Sequence, residues 1–290
     1  MILRTVMRNL FSTQIHGIYF SPRERLKLIS QLLSSEINGL LPVPHRKFHA
    51  FCVGLPRSGT HTMANIFNKY YVAAHEPHHK EAIINIIDWN HQRYSRNRML
   101  KILCSRDKAL RLDMESSHYL HHILDFLVEQ FPQAKFIMTV REPMSWLESE
   151  VNQNYLTRNT DSWALLEHHR YSKYNYEHEF ASLKQVKNIY PIRSYLSYWK
   201  DHIHKVLCSV PSEKLLVIDT FDISNQLYNI SSFIGVDFNT LDISKKHSGK
   251  RRSAFILYDK VDKNEVRELV QVHCQEFVKE YLPFMSKYLL

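Results

Sequence analysis

Glycine and proline are scarce, six and ten in 290 residues, and no segment repeats or falls to low complexity. A long flexible linker is therefore not expected. The four cysteines, Cys52, Cys104, Cys208 and Cys274, stand far apart, with no C-x-x-C pair and no Cys/His spacing of the zinc-site kind. That excludes a zinc ribbon and leaves reduced, mostly buried thiols as the expectation. No run of about 18 apolar residues occurs, so a membrane-spanning helix is not expected either. Acidic residues are the scarcer charge: 38 Lys and Arg face 29 Asp and Glu, a formal net charge of +9, with 18 histidines in addition. Such a balance suits an anionic ligand or an acidic partner.

The opening twenty residues, MILRTVMRNLFSTQIHGIYF, contain Arg4 and Arg8, no acid, and apolar residues at roughly helical spacing. They read as a helix packed on the core, with weak membrane-surface contact or a transit role as alternatives. A second helical stretch and the breaker LPVPH complete an N-terminal segment, 1–47, ahead of a single domain over 48–290. Without a secretory signal the expected location is the cytoplasm. From residue 48 the pattern alternates. Strands are expected at 48–54, 70–74, 109–113, 135–140 and 214–219, and helices at 60–69, 80–104, 117–131, 144–153 and about 190–208. Near-continuous apolar strands between helices predict an α/β three-layer sandwich with a central parallel sheet and ligands at the carboxyl ends of its strands.

Two of those strand ends carry motifs. The stretch FCVGLPRSGTHTM, 51–63, runs from strand through a glycine loop into a helix, the layout of an anion cradle. A Walker A loop would place Lys and then Ser or Thr after its second glycine, where this chain has Thr60 and His61. Its cation, Arg57, comes before that glycine. The second stretch, TVREPMSWLES, 139–149, ends a strand at Arg141, starts a helix with Pro143 and sets Ser145 and Ser149 one turn apart on a single helix face. An arginine beside a helical serine can hold a second phosphate; an ordinary ion pair of Arg141 with Glu142 or Glu148 is the competing reading.

Together the two stretches resemble the 5′-phosphosulfate loop and the 3′-phosphate motif of sulfotransferases that use 3′-phosphoadenosine 5′-phosphosulfate (PAPS), in the family's order along the chain. The eight-residue step from Arg141 to Ser149 is similar to the family spacing, and the resemblance spans roughly 48–255. It implies a P-loop-like loop in which the backbone of Ser58, Gly59, Thr60, His61 and Thr62 holds the 5′-phosphate. Arg57 takes the catalytic cation's place, Arg141 and Ser149 bind the 3′-phosphate, and no metal takes part. It further implies in-line transfer of a sulfuryl group to a hydroxyl or amine of a small-molecule, carbohydrate or peptide acceptor, with no nucleic-acid partner.

For the general base the resemblance leaves two positions open. Glu76 matches the glutamate after the second strand in branches that modify tyrosine or polysaccharide, and His118 matches the histidine after the third strand in the cytosolic small-molecule branch. Glu115 stands where many relatives have lysine, so either another cation compensates or Glu115 faces the acceptor; a helix-start acid is the simpler alternative. The basic segment HSGKRRSAF, 247–255, occupies the place of the family's late basic loop, with Lys250, Arg251 and Arg252 as 3′-phosphate contacts, or it is a solvated charge run. Trp199 is expected in the core rather than against adenine. The Tyr- and His-rich stretch 154–180 either covers the acceptor or forms a surface hairpin. Three other readings compete: a di-iron site built on the Glu-x-x-His pairs at 76 and 115, a P-loop kinase or NTPase, and a non-catalytic protein that keeps the PAPS-binding loops.

Overall fold

The computed structural model describes Gln14–Ile15, Ile18–Tyr19 and residues 46–157, 162–245 and 256–288. Two short strands, β1 (Gln14–Ile15) and β2 (Ile18–Tyr19), pair antiparallel where the sequence suggests helix. Both are rich in β-branched and aromatic residues, and only two residues, one of them glycine, separate them in sequence; that is a hairpin signal stronger than the loose helical spacing around it. The rest of the N-terminal segment lies outside the described residues.

Five strands form the central sheet: β3 (Ala50–Cys52), β4 (Ala73–His75), β5 (Met114–Ser116), β6 (Lys135–Val140) and β7 (Leu215–Asp219). All pair in parallel, in the spatial order β4-β5-β3-β6-β7. From β3 the chain runs to the edge strand β4, returns to β5 between them and then crosses to the other side at β6, so the carboxyl end of β3 lies at a topological switch point.

Alternate strand residues face opposite layers. Phe51, Phe136, Met138 and Val140 join one apolar core, and Ala50, Cys52 and Ile137 join the other. The second core is closed by α1 (Thr60–Phe67), through Met63, Ile66 and Phe67, and by a helix over Leu227–Ile234. On the first face pack α2 (His79–Asn90), α3 (Arg96–Leu110), α4 (Leu124–Gln130), α5 (Pro143–Leu156), α6 (Ser162–Tyr171) and α7 (Ile192–Ser209). With α8 as the Leu227–Ile234 helix, α9 (Lys263–Tyr281) completes that layer through Val266, Val270, Cys274 and Val278. This is the three-layer arrangement the alternating pattern predicts.

Several boundaries differ from the sequence reading, two of them with a local cause. The single helix expected over 80–104 is two helices, because Gln92 adopts a left-handed φ of 57° and Ser95 caps α3 by accepting from the Arg98 amide. The strand expected at 109–113 starts only at Met114. Residues 109 and 110 still belong to α3, which Arg111 ends at φ 50°, and the Asp113 carboxylate then accepts from the amides of Lys47 and Val72. The four cysteines are free, with Cys52 and Cys274 buried, Cys104 half-buried and Cys208 exposed.

Gly54 is required by the approach of the chain after β3 to β6. A Cβ at that position would stand 2.0 Å from Thr139 Oγ1 and 2.7 Å from the Thr139 carbonyl oxygen. Gly54→Ala is expected to lower the unfolding free energy by about 1–3 kcal/mol, the usual cost of forced overpacking, measured from denaturant midpoints. An unchanged midpoint would contradict so close a contact.

Candidate active site

The loop from Val53 to Gly59 is pinned from several elements at once. The Val53 and Leu55 amides donate to Ile137 and Thr139 of β6 at 2.8 and 3.3 Å, and His202 Nε2 on α7 donates to the Val53 carbonyl at 2.8 Å. Trp146 Nε1 on α5 donates to the Pro56 carbonyl at 2.9 Å. Ser58 is wholly buried, its Oγ 2.6 Å from the Leu55 carbonyl and 2.9 Å from Thr139 Oγ1. Thr220, just after β7, brings Oγ1 within 2.6 Å of the Ser58 carbonyl and 2.9 Å of the Val140 carbonyl. These contacts stabilise two left-handed residues, Arg57 at φ 60° and Gly59 at φ 96°. For a residue with a Cβ that conformation costs on the order of 1 kcal/mol.

Gly59 is the residue ahead of α1. The first helical bond runs from the Met63 amide to the Gly59 carbonyl at 3.0 Å, so the amides of the turn before it point out of the helix end. Gly59 has no side chain with which to cap this end, and no acid lies in its first turn. The positive end of the helix dipole is therefore not neutralised by an acid of its own first turn. The Ser58 amide bonds the Leu55 carbonyl at 3.3 Å, so the outward-facing amides start at Gly59, one residue later than the sequence suggests. Thr60 and Thr62 are buried and His61 is exposed.

Two guanidinium groups lie beside this loop. Arg57 Nε donates to Ser149 Oγ at 3.1 Å, and Arg141 Nε donates to Ser145 Oγ at 2.9 Å while its Nη1 reaches the Arg57 carbonyl at 3.4 Å. Ser149 thus links the two motifs rather than pairing with Arg141. Glu142 does not form the ion pair of the competing reading, because its carboxylate caps α5, accepting from the Met144 and Ser145 amides at 2.8 and 2.7 Å. Burial lowers the pKa of Arg141, with the like charge of Arg57 adding to the effect and Glu142 opposing it. An anion between the two arginines would offset that cost. Trp199 is buried and donates Nε1–H to the Arg141 carbonyl at 3.0 Å, a core role as expected.

The ends of β4 and β5 carry the candidate acid–base residues. Glu76 has a left-handed φ of 50°, its amide donates to the Ser116 carbonyl at 3.1 Å, and its Oε1 lies 3.0 Å from His118 Nε2. His75 joins this group to α1, with Nε2 3.1 Å from Thr60 Oγ1 and 3.6 Å from Glu76 Oε1. Burial raises the Glu76 carboxyl above its ordinary range, although neighbouring histidines and Arg170 pull the other way. His75 is pushed down to about 4, chiefly by burial. His118 is held well below its ordinary value by burial and then by the charges of Arg170 and Arg57. Burial thus disfavours the charged form of His118, whose Nε2 lies within hydrogen-bond reach of the Glu76 carboxyl.

Glu115 resolves differently. Its carboxylate is buried against the Arg106 guanidinium, with Nη2 2.7 Å from Oε1 and a second contact between Nη1 and Oε2, and Ser117 Oγ donates to Oε1 at 3.0 Å. The cation that compensates this acid is Arg106, and Glu115 is part of the scaffold. Arg106 Nη2 also donates to the Pro77 carbonyl at 3.0 Å, bracing the turn after Glu76. Lys250, Arg251 and Arg252 lie outside the described residues. Among the described residues no group of three or more His, Cys, Asp or Glu could hold a metal ion.

Arg170, Thr220, Trp146 and His202 were not singled out by sequence. Thr220 follows a strand end and could have been found by that rule. The other three act across 52 to 149 residues of sequence, and nothing local marks them. Arg170 comes from α6, within the stretch that had two readings; the same helix sets Trp163 parallel to the His79 ring, centroids 4.8 Å apart.

No curated protein sequence matches the chain. Among solved structures, a sulfotransferase from Alicyclobacillus acidocaldarius aligns over 84% of this chain and 96% of its own at 13% identity and a TM-score of 0.46. One from Mycobacterium avium aligns over 97% and 96% at 11% identity and 0.48. The sulfotransferase domain of the Synechococcus PCC 7002 olefin synthase aligns over 78% and 86% at 18% identity and 0.36. The family model described as a sulfotransferase domain matches residues 49–238, well over half of the sequence and the whole span from β3 to the end of α8. This chain belongs to the sulfotransferase domain family.

Proposed function

We propose that the protein transfers a sulfuryl group from PAPS to a hydroxyl or amine of a small-molecule, carbohydrate or peptide acceptor by in-line displacement. The observation that carries this reading is the uncapped, acid-free N-terminus of α1 with Arg57 and Arg141 beside it, their side chains hydrogen-bonded to Ser149 and Ser145. Such a donor set fits a ligand with two separated anionic groups and no metal between them. PAPS, when bound, supplies the sulfuryl group and a phosphate as its leaving group.

The chain's own residues then have distinct tasks. Amides from Gly59 to Thr62 hold the 5′-phosphate, and Arg57 stabilises negative charge as it grows on the leaving oxygen. Arg141 holds the 3′-phosphate with help from Ser149, and Lys250, Arg251 and Arg252 are further contacts for it. Glu76 accepts the acceptor's proton at a carboxylate oxygen. His118 is the weaker candidate for that task, since its Nε2–H faces Glu76 and its Nδ1 faces Arg170.

Binding tests the class. The desulfonated product, 3′-phosphoadenosine 5′-phosphate, is expected to raise the thermal midpoint well above that with ADP at equal concentration. Ser149→Ala together with Arg141→Ala should erase the difference; equal stabilisation by ADP in the wild type would contradict the assignment.

Turnover tests the base. Glu76→Gln is expected to keep nucleotide affinity and lose about 10²- to 10⁴-fold in single-turnover rate, the range for a positioned proton acceptor. A base works ionised, and burial raises the Glu76 pKa. The wild-type rate should therefore fall, as pH drops, at a higher pH than the ~4.3 of an exposed glutamate. An active Glu76→Gln beside an inactive His118→Asn would reverse the roles.

A further inference from the structure

Arg170 has no part in the motifs, yet it is buried in the first apolar layer next to the acid–base residues. Its Nη2 donates to His118 Nδ1, and its Nη1 lies 3.9 Å from Glu150 Oε1, which also accepts from Tyr171 OH at 2.7 Å. The guanidinium carbon sits 5.2 Å from the centre of the Tyr198 ring. Leu166 and Tyr171 of the same helix are packed in the core, and these contacts fix where the arginine head can go.

A guanidinium has donors only and keeps its proton. His118 Nδ1 must therefore present a lone pair to Arg170, and a neutral imidazole then carries its single proton on Nε2. That nitrogen is the one 3.0 Å from Glu76 Oε1. The order of donation follows without choice: Arg170 to His118, and His118 to Glu76. Arg57 and His79 also act on the imidazole through their charges, and the Trp163 and Tyr119 rings lie 5.4 and 5.8 Å from it.

We propose that Arg170 is a positioning residue that locks His118 in its Nε2–H tautomer, so that the imidazole donates to one oxygen of Glu76 and orients that carboxylate. A change of tautomer would turn a lone pair toward the carboxylate and a ring flip would turn a C–H toward it; either would remove the hydrogen bond. The proposal rests on Glu76 as base only for its effect on rate; the tautomer itself is a property of the free protein.

The test is ¹⁵N NMR of the full-length protein labelled at histidine, with the His118 signals assigned through His118→Asn. In the wild type, free of nucleotide, His118 should show a protonated Nε2 and an unprotonated Nδ1. Arg170→Met, which removes every donor at similar length, should mix or reverse the tautomers and slow single-turnover transfer by about 10- to 100-fold, the usual cost of losing a partner that orients a functional imidazole. Arg170→Lys, which restores a donor, should recover the Nε2–H form and part of the rate. A wild-type His118 protonated on Nδ1 would overturn the proposal. So would an Arg170→Met protein with the tautomer unchanged. Should Arg170→Met fail to fold, the wild-type spectrum and Arg170→Lys still decide. A confirmed tautomer beside a fully active Glu76→Gln would refute the base assignment and leave the lock standing.

Discussion

The contact between the end of β3 and β6 is the constraint from which the rest of the site follows. Gly54 lies so close to Thr139 that no side chain fits between them, and Thr139 in turn meets Ser58. The loop is held against β6 at both of its ends. Because Thr220 and Trp146 bond the Ser58 and Pro56 carbonyls, the loop's acceptors point inward to the scaffold. What is left to face outward is a set of donors, and the left-handed turns at Arg57 and Gly59 aim them in one direction.

Charge is arranged around that loop on the same logic. Three acids nearby are occupied: Glu142 by the start of α5, Glu115 by Arg106, and Glu150 by Tyr171 and Arg170. The basic groups next to the loop bond to serines and carbonyls instead, while Glu148 acts on Arg141 through its charge. The proton-accepting side is separate in chemistry as well as in place. Burial favours a neutral His118 and raises the Glu76 carboxyl, which moves it toward the range where a carboxylate is both ionised and basic.

Much of the fold was legible because the deciding signals are local. Apolar strands such as KFIMTV, the glycine loop after β3, and Pro143 at the start of α5 each declare themselves within a few residues, and the strand-end rule then collects the motifs on one edge of the sheet. Boundaries were less legible where a single left-handed residue decides them, as at Gln92 and Arg111. The N-terminal hairpin was missed because a helical spacing was read across a stretch whose β-branched residues favour strands. Side-chain partners were the least legible part. Ser149 lies eight residues from Arg141 as the resemblance requires, but which arginine it meets depends on how β3 and α5 pack. Arg106 and Arg170 reached Glu115 and His118 only through tertiary packing, so a sequence reading could ask for a compensating cation without naming it.

The proposed function requires the end of β3 to hold an anion between the start of α1 and the pair Arg57 and Arg141. A crystal structure of the protein grown with 3′-phosphoadenosine 5′-phosphate tests it most directly. The 5′-phosphate is expected against the amides from Gly59 to Thr62 and Arg57, with the 3′-phosphate on Arg141 and Ser149. Density for the nucleotide away from this edge of the sheet, or a 5′-phosphate that makes no contact with the α1 amides, would contradict it.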